Sequence, residues 1–115
     1  DHFLVLLLPK ENTDITFIKT LVSNFNLNDY STDILEINTM LIGLDQHLLI
    51  VKTFNSTKKV ERYAGMLLSN SSLLKELNKS DFNKIIISKD NFVEFYKNKD
   101  IEGYSKFFNN NYLEN

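Results

Sequence analysis

His2, His47 and the carboxylates are the side chains of this 115-residue chain that could serve acid–base or metal chemistry. Neither histidine has a second ligand at a spacing typical of metal sites, such as HxxxH. Asp14, Asp45 and Asp90 stand at predicted helix starts and turns, where capping accounts for them. The chain has no cysteine and only 3 glycines, which excludes a thiolate nucleophile and a glycine-rich phosphate loop. We therefore predict a protein without catalytic activity, metal or other cofactor.

The charge balance does not indicate a basic surface that could bind nucleic acid. Lys and Arg number 13 against 15 Asp and Glu, for a net charge of -2. Nucleic-acid phosphates are bound mainly by clustered basic side chains. RNA-recognition domains also need stacking aromatic residues on their central strands, and here Phe3 and Phe54 stand only at strand ends. We therefore expect a partner other than nucleic acid.

Hydrophobic patterning predicts four strands and two helices before residue 89. Residues 3–8 form a continuous apolar run, which is typical of a strand covered on both faces. Residues 34–44 and 48–54 predict a hairpin, and residues 85–87 predict a fourth strand. Helical spacing of apolar residues predicts a helix after the first strand, with Ile18, Leu21, Val22 and Phe25 on one face, and a helix after the third, with Val60, Tyr63, Ala64, Leu67 and Leu68.

This order of elements is that of the split βαβ, or ferredoxin-like, arrangement. With right-handed crossovers it predicts an α+β fold, βαββαβ, whose antiparallel four-stranded sheet has strands one and three at its centre and both helices on one face. We expect residues 1–115 to form a single domain, with 1–88 as the core and 89–115 as a C-terminal helical extension. The residues expected to be mostly buried are Val5, Leu7, Ile18, Leu21, Phe25, Ile50, Tyr63, Leu67 and Ile86.

The extension is rich in aromatic side chains for a stretch that otherwise has the composition of a polar helix. Its rings are Phe92, Phe95, Tyr96, Tyr104, Phe107, Phe108 and Tyr112. One interpretation is that they cover the second, apolar face of the sheet. The other is that some rings remain exposed and anchor a partner. We expect both to hold for different rings, and we predict a partner-binding surface at Tyr96, Lys99, Tyr104, Phe107 and Tyr112.

The extension also carries a family resemblance. Its string Ser88-x-Asp-Asn-Phe, followed by Phe-Tyr, Lys-Asp, Tyr and Phe-Phe, with Phe54 and Tyr63 upstream, resembles the C-terminal module of tetratricopeptide-repeat lipoproteins of Bacteroidetes that serve type IX secretion and gliding motility. The likeness extends over nearly all 115 residues, and the motif encodes no known chemistry. Two departures are Val93, where Pro or a small residue is expected, and the absence from this chain of helical repeats and a lipid-attachment cysteine.

The resemblance implies a periplasmic domain, anchored to the outer membrane through a missing N-terminal part of the protein, that binds other proteins of a secretion or motility complex. It implies no catalytic residues and no direct insertion of this domain into the membrane. A ligand-binding domain of the same ferredoxin-like topology, for a cell-wall glycan or a small molecule, is the alternative, but it would use an open sheet face. An enzyme would need a polar cleft that the sequence does not indicate.

Overall fold

A computed structural model describes residues 1–30 and 34–98 of the chain. Along the chain the elements are β1 (His2–Pro9), α1 (Ile15–Asp29), β2 (Glu36–Ile42), β3 (Gln46–Phe54), α2 (Thr57–Leu67), α3 (Ser71–Leu77), β4 (Asn83–Ser88) and α4 (Lys89–Asn98). The protein is therefore α+β, as the patterning predicted.

The four strands form one antiparallel sheet in the order β2-β3-β1-β4. β1 and β3 occupy the centre, where the crossover argument placed them. In their pairing Leu4 lies opposite Val51 and Leu7 opposite Leu48. On its other side β1 pairs with β4, so that Leu4 also lies opposite Ile86. Residues 3–8 are all buried, because a central strand covered on both faces leaves no side chain in water.

The first face of the sheet, called the helical face below, carries Leu4, Leu6 and Leu8 of β1. His2 has the same parity in the strand, and its Nε2 lies 3.4 Å from the Thr57 hydroxyl at the start of α2. α2 therefore packs on this face, and α1 joins it through a ring contact between α1 and α2. The opposite face, called the α4 face, carries Phe3, Val5 and Leu7.

Tyr63 of α2 is the centre of the packing on the helical face. Its ring centroid lies 5.8 Å from that of Phe25 on α1, 5.1 Å from that of Phe54 on β3 and 5.0 Å from that of Tyr30. Its hydroxyl donates a hydrogen bond to the side-chain oxygen of Asn26 on α1. A buried tyrosine needs such a partner, because an unpaired hydroxyl would lose its hydrogen bonds to water without replacement.

Side-chain caps set the starts of the helices on this face. Asp14 accepts a hydrogen bond from the Phe17 amide at 3.0 Å, and Ser56 accepts one from the Lys59 amide at 3.2 Å. Asn70 caps α3 in the same way. Each cap satisfies an amide that has no partner within its own helix. The cap at Asn70 begins a separate helix, so the leucines beyond it belong to α3 instead of to α2.

The nine residues predicted to be mostly buried all belong to the core or pack against it: eight are fully buried, and Leu21 is partly buried against the core. Leu21 is half-buried at the side of α1. The core-facing stripe of α1 consists of Ile18, Val22 and Phe25, which follow one another at four-residue and three-residue steps. Leu21 lies beside that stripe on the helix surface and is less buried than its three members.

Candidate interaction surface

α4 begins directly at the end of β4. The Ser88 hydroxyl oxygen accepts a hydrogen bond from the Asn91 amide at 3.2 Å, and the Lys89 amide donates to the carbonyl oxygen of Asp1 at 3.0 Å. Asp90 in the first turn and Lys97 in the last complement the helix dipole. These contacts set the direction of α4, which packs against β4 and β1.

Phe92 attaches α4 to the sheet. Its ring meets that of Phe3 edge-on, with centroids 5.6 Å apart and planes 66° apart. Its centroid lies 6.2 Å from that of Phe95, which is buried, and 6.3 Å from that of Tyr96. Because Phe3 belongs to the α4 face, this aromatic cluster (Phe3, Phe92, Phe95 and Tyr96) lies on the side of the sheet opposite to Tyr63. For Phe92 and Phe95 the covering interpretation is therefore right.

Tyr96 and Val93 point outward from the same helix. The Tyr96 ring stacks on Phe92 with an interplanar angle of 26°, yet the residue is 40% exposed. Val93, three residues earlier, is 48% exposed. Residues three apart are neighbours on a helix surface, so the two form one apolar patch, named the α4 patch below. The Tyr96 ring is held in place by Phe92 and is partly exposed. It can therefore contact a partner without first becoming ordered.

The structure places one of the five predicted site residues in this patch. Tyr96 belongs to it, whereas Lys99, Tyr104, Phe107 and Tyr112 lie outside the described residues. Val93 was not among the predicted partner-binding residues. Its three-residue spacing from Tyr96 was the signal that could have found it.

A lysine connects the aromatic cluster with the far edge of the sheet. The ammonium nitrogen of Lys52 on β3 lies 5.5 Å from the centroid of the Phe3 ring and 3.7 Å from a carboxylate oxygen of Glu36 on β2. Both charged side chains are partly exposed, so the ion pair adds little to stability. The contact over the ring keeps the lysine stem on the α4 face, next to Phe3.

The histidines occupy two different settings. His2 lies against the start of α2, as described above, and is partly buried. At His47 burial lowers the pKa of the imidazole, and the nearby positive charge of Lys10 lowers it further. Within residues 1–30 and 34–98, no three His, Cys, Asp or Glu side chains converge to form a metal site.

Two shallow grooves lie on the surface of the helices. A groove of about 610 Å³ runs between α1 and α2 and is lined by Asp29, Glu61, Arg62 and Met66 among others. A second, of about 750 Å³, lies at the start of α1 beside Glu76 and Lys79 of the α3 region. Both are open to solvent. Among the described residues that line these two grooves there is no histidine.

Comparisons with protein-family models, with curated proteins and with solved structures found no match to this chain. Within the part of the chain that the structure describes, the helices all fall short of the length and hydrophobicity needed to cross a bilayer.

Proposed function

We propose that this domain is a non-catalytic protein-interaction module of a periplasmic lipoprotein that serves secretion or gliding motility. The α4 patch is the observation that carries the proposal. Its tyrosine presents an apolar ring with a polar tip, a combination enriched at protein interfaces. Stacking on Phe92 holds that ring in place, so little conformational entropy is lost when a partner binds.

The cellular context comes from the resemblance of the extension to Bacteroidetes secretion and motility lipoproteins. The partner is then another protein of the type IX secretion or gliding machinery, and the domain works in the periplasm. Anchoring to the outer membrane belongs to a part of the protein outside this chain. The remaining predicted contact residues, Lys99, Tyr104, Phe107 and Tyr112, lie outside the described residues and stay predictions.

We assign the domain to the ferredoxin-like arrangement. In support, the sheet order read from its other edge is β4-β1-β3-β2, and both crossover helices, α1 and α2, lie on one face. α3 is an addition between α2 and β4. In this arrangement α4 lies on the face that a ferredoxin-like core alone would leave uncovered.

Photocrosslinking in cells tests the interaction surface. A photoreactive phenylalanine at position 96 of the full-length protein should crosslink to a protein of the secretion or motility complex. Position 27 is the control, because Leu27 is 74% exposed on α1, away from α4. Direct binding of the identified partner should then weaken in Tyr96→Ser and stay unchanged in Leu27→Ser. Equal crosslinking at both positions, or no crosslink at 96, would reject the α4 patch as the interface.

A ligand-binding domain is the second candidate, and the groove between α1 and α2 favours it. A cell-wall glycan fragment bound there would contact Arg62 and Asp29 through its hydroxyl groups. Titration of such fragments into the labelled protein should then move the amide resonances of α1 and α2 and leave those of α4 in place. Resonances that stay constant at millimolar fragment would exclude this candidate for these glycans.

A further inference from the structure

β2 forms one edge of the sheet. Among the described residues it pairs with β3 alone, so its outer row of amide and carbonyl groups has no strand partner. Natural proteins protect such edges with charged side chains, above all lysine, with proline or with a covering element. β2 has neither lysine nor proline, and Glu36 is its single charged residue. The opposite edge strand, β4, carries Lys84 and is followed at once by α4.

Apolar side chains are exposed along this edge and at both of its ends. Ile34, just before β2, and Leu44, just after it, are the most exposed large apolar residues in the described part of the chain. Leu41, within the strand, is about half-exposed. Ile34 and Leu44 lie at equal distances along the chain from Thr39, the middle residue of β2. The exposed apolar groups are therefore arranged nearly symmetrically about Thr39.

We propose that β2 pairs with β2 of a second copy of this chain, antiparallel, about a two-fold axis at Thr39. Such an isologous pairing joins the two sheets into one, and it requires the edge to be complementary to itself. In this register Thr39 faces Thr39 of the second copy, and Ile37 faces Leu41. Opposed threonines and opposed apolar side chains stabilise a strand pair. Glu36 faces Ile42, so like charges never stand opposite each other.

Other registers lose this complementarity. If one strand is shifted by two residues, Ile37 no longer faces Leu41. Thr39 then faces either Ile37 or Leu41, depending on the direction of the shift. A shift by one residue would set the helical face of one copy beside the α4 face of the other, because side chains alternate along a strand. The pairing about Thr39 also uses all seven residues of β2.

The expected association is weak. A seven-residue strand is roughly 23 Å long, and pairing along its edge buries less than the roughly 800 Å² per partner of a standard interface. We expect a dissociation constant on the order of 100 µM, in the range of transient contacts. β4 and α4 lie at the other end of the sheet, so the α4 patch stays accessible in the dimer. This pairing is independent of the proposed function.

Sedimentation equilibrium of the 115-residue chain, from micromolar to millimolar concentration, tests the pairing. Thr39→Lys and Thr39→Glu each place two like charges together at the two-fold axis, and each should weaken dimerisation roughly fivefold or more. An equimolar mixture of the two variants brings Lys opposite Glu and should restore association to at least the wild-type level. Thr20→Lys, which adds the same charge at an exposed position of α1, should dimerise like the wild type.

The mixing experiment is specific because only a residue that faces itself can be rescued in this way. Circular dichroism and thermal denaturation of each variant confirm that the fold is retained. A wild-type chain that stays monomeric at millimolar concentration would overturn the proposal. So would dimerisation of Thr39→Lys at wild-type strength, or a mixture that associates no better than its separate components.

Discussion

On the helical face α1 and α2 meet around a fully buried tyrosine, whereas on the α4 face one short helix meets the sheet through Phe92 and leaves a tyrosine partly exposed. The ring of Tyr63 contacts three other aromatic rings, and its hydroxyl donates a hydrogen bond to Asn26. Tyr96 stacks on Phe92 and is 40% exposed to solvent. The same residue type therefore contributes to stability on one face and is available for binding on the other, according to how many neighbours surround it.

The largest expected effect is on the helical face. Tyr63→Ala removes the ring that joins α1, α2 and β3, and it should lower the free energy of unfolding by about 3–5 kcal/mol. Urea denaturation measures it. Tyr96→Ala, the matched change on the other face, should cost less than about 0.5 kcal/mol. Similar losses in the two variants would show that the two tyrosines are not in different settings.

The next largest effect is expected from loss of the hydrogen bond between the Tyr63 hydroxyl and Asn26. Asn26→Ala leaves the Tyr63 hydroxyl without its partner and should cost about 1–3 kcal/mol. The double variant with Tyr63→Phe should lose less than the sum of the two single changes, because both remove one interaction. If the losses of unfolding free energy in the two single variants simply add up in the double variant, the hydrogen bond contributes nothing to stability.

On the α4 face Phe92→Ala should cost about 1–2 kcal/mol, less than Tyr63→Ala because Phe92 is only partly buried. Amide hydrogen exchange should then accelerate in α4 and stay slow in α1 and α2, since α4 packs through this ring. Val93→Ala, in the same helix but half-exposed, is the control. It should change neither the free energy of unfolding nor the amide exchange rates of α4. Uniform acceleration throughout the sheet would mean that α4 is part of the main cooperative unit.

The smallest effect is a pH dependence. Burial and Lys10 hold the pKa of His47 below its usual 6.5 in the folded chain. As pH falls through 6.5, the unfolded chain takes up a proton there that the folded chain does not, so stability declines until pH passes below the folded pKa. His47→Gln should flatten the decline, and Lys10→Gln should reduce it. If the change of stability with pH is the same in both variants as in the wild type, other titratable groups cause it.

The sequence predicted the central strand, the helical stripes and the α+β class, because local periodicity records which side of an element is buried. It placed Leu21 in the core with Ile18 and Phe25, but it did not distinguish the partly buried Leu21 from these two fully buried residues, because that difference depends on how α1 packs. At the candidate surface it selected Tyr96 but not Val93. The aromatic spacing of α4 was visible, but the side of the helix that faces Phe3 depends on how β4 and β1 pair, which is tertiary information.

Tyr63 also gives the helical face its own optical signal. The chain has five tyrosines and no tryptophan, so tyrosine dominates its near-ultraviolet absorbance. Burial raises the pKa of the Tyr63 hydroxyl well above its usual 10. As pH rises through 10, the hydroxyl in an unfolded chain ionises while that in the folded chain stays protonated. The increase in phenolate absorbance when the chain unfolds in alkaline solution therefore includes Tyr63 and reports, without any label, the loss of packing between α1, α2 and the sheet.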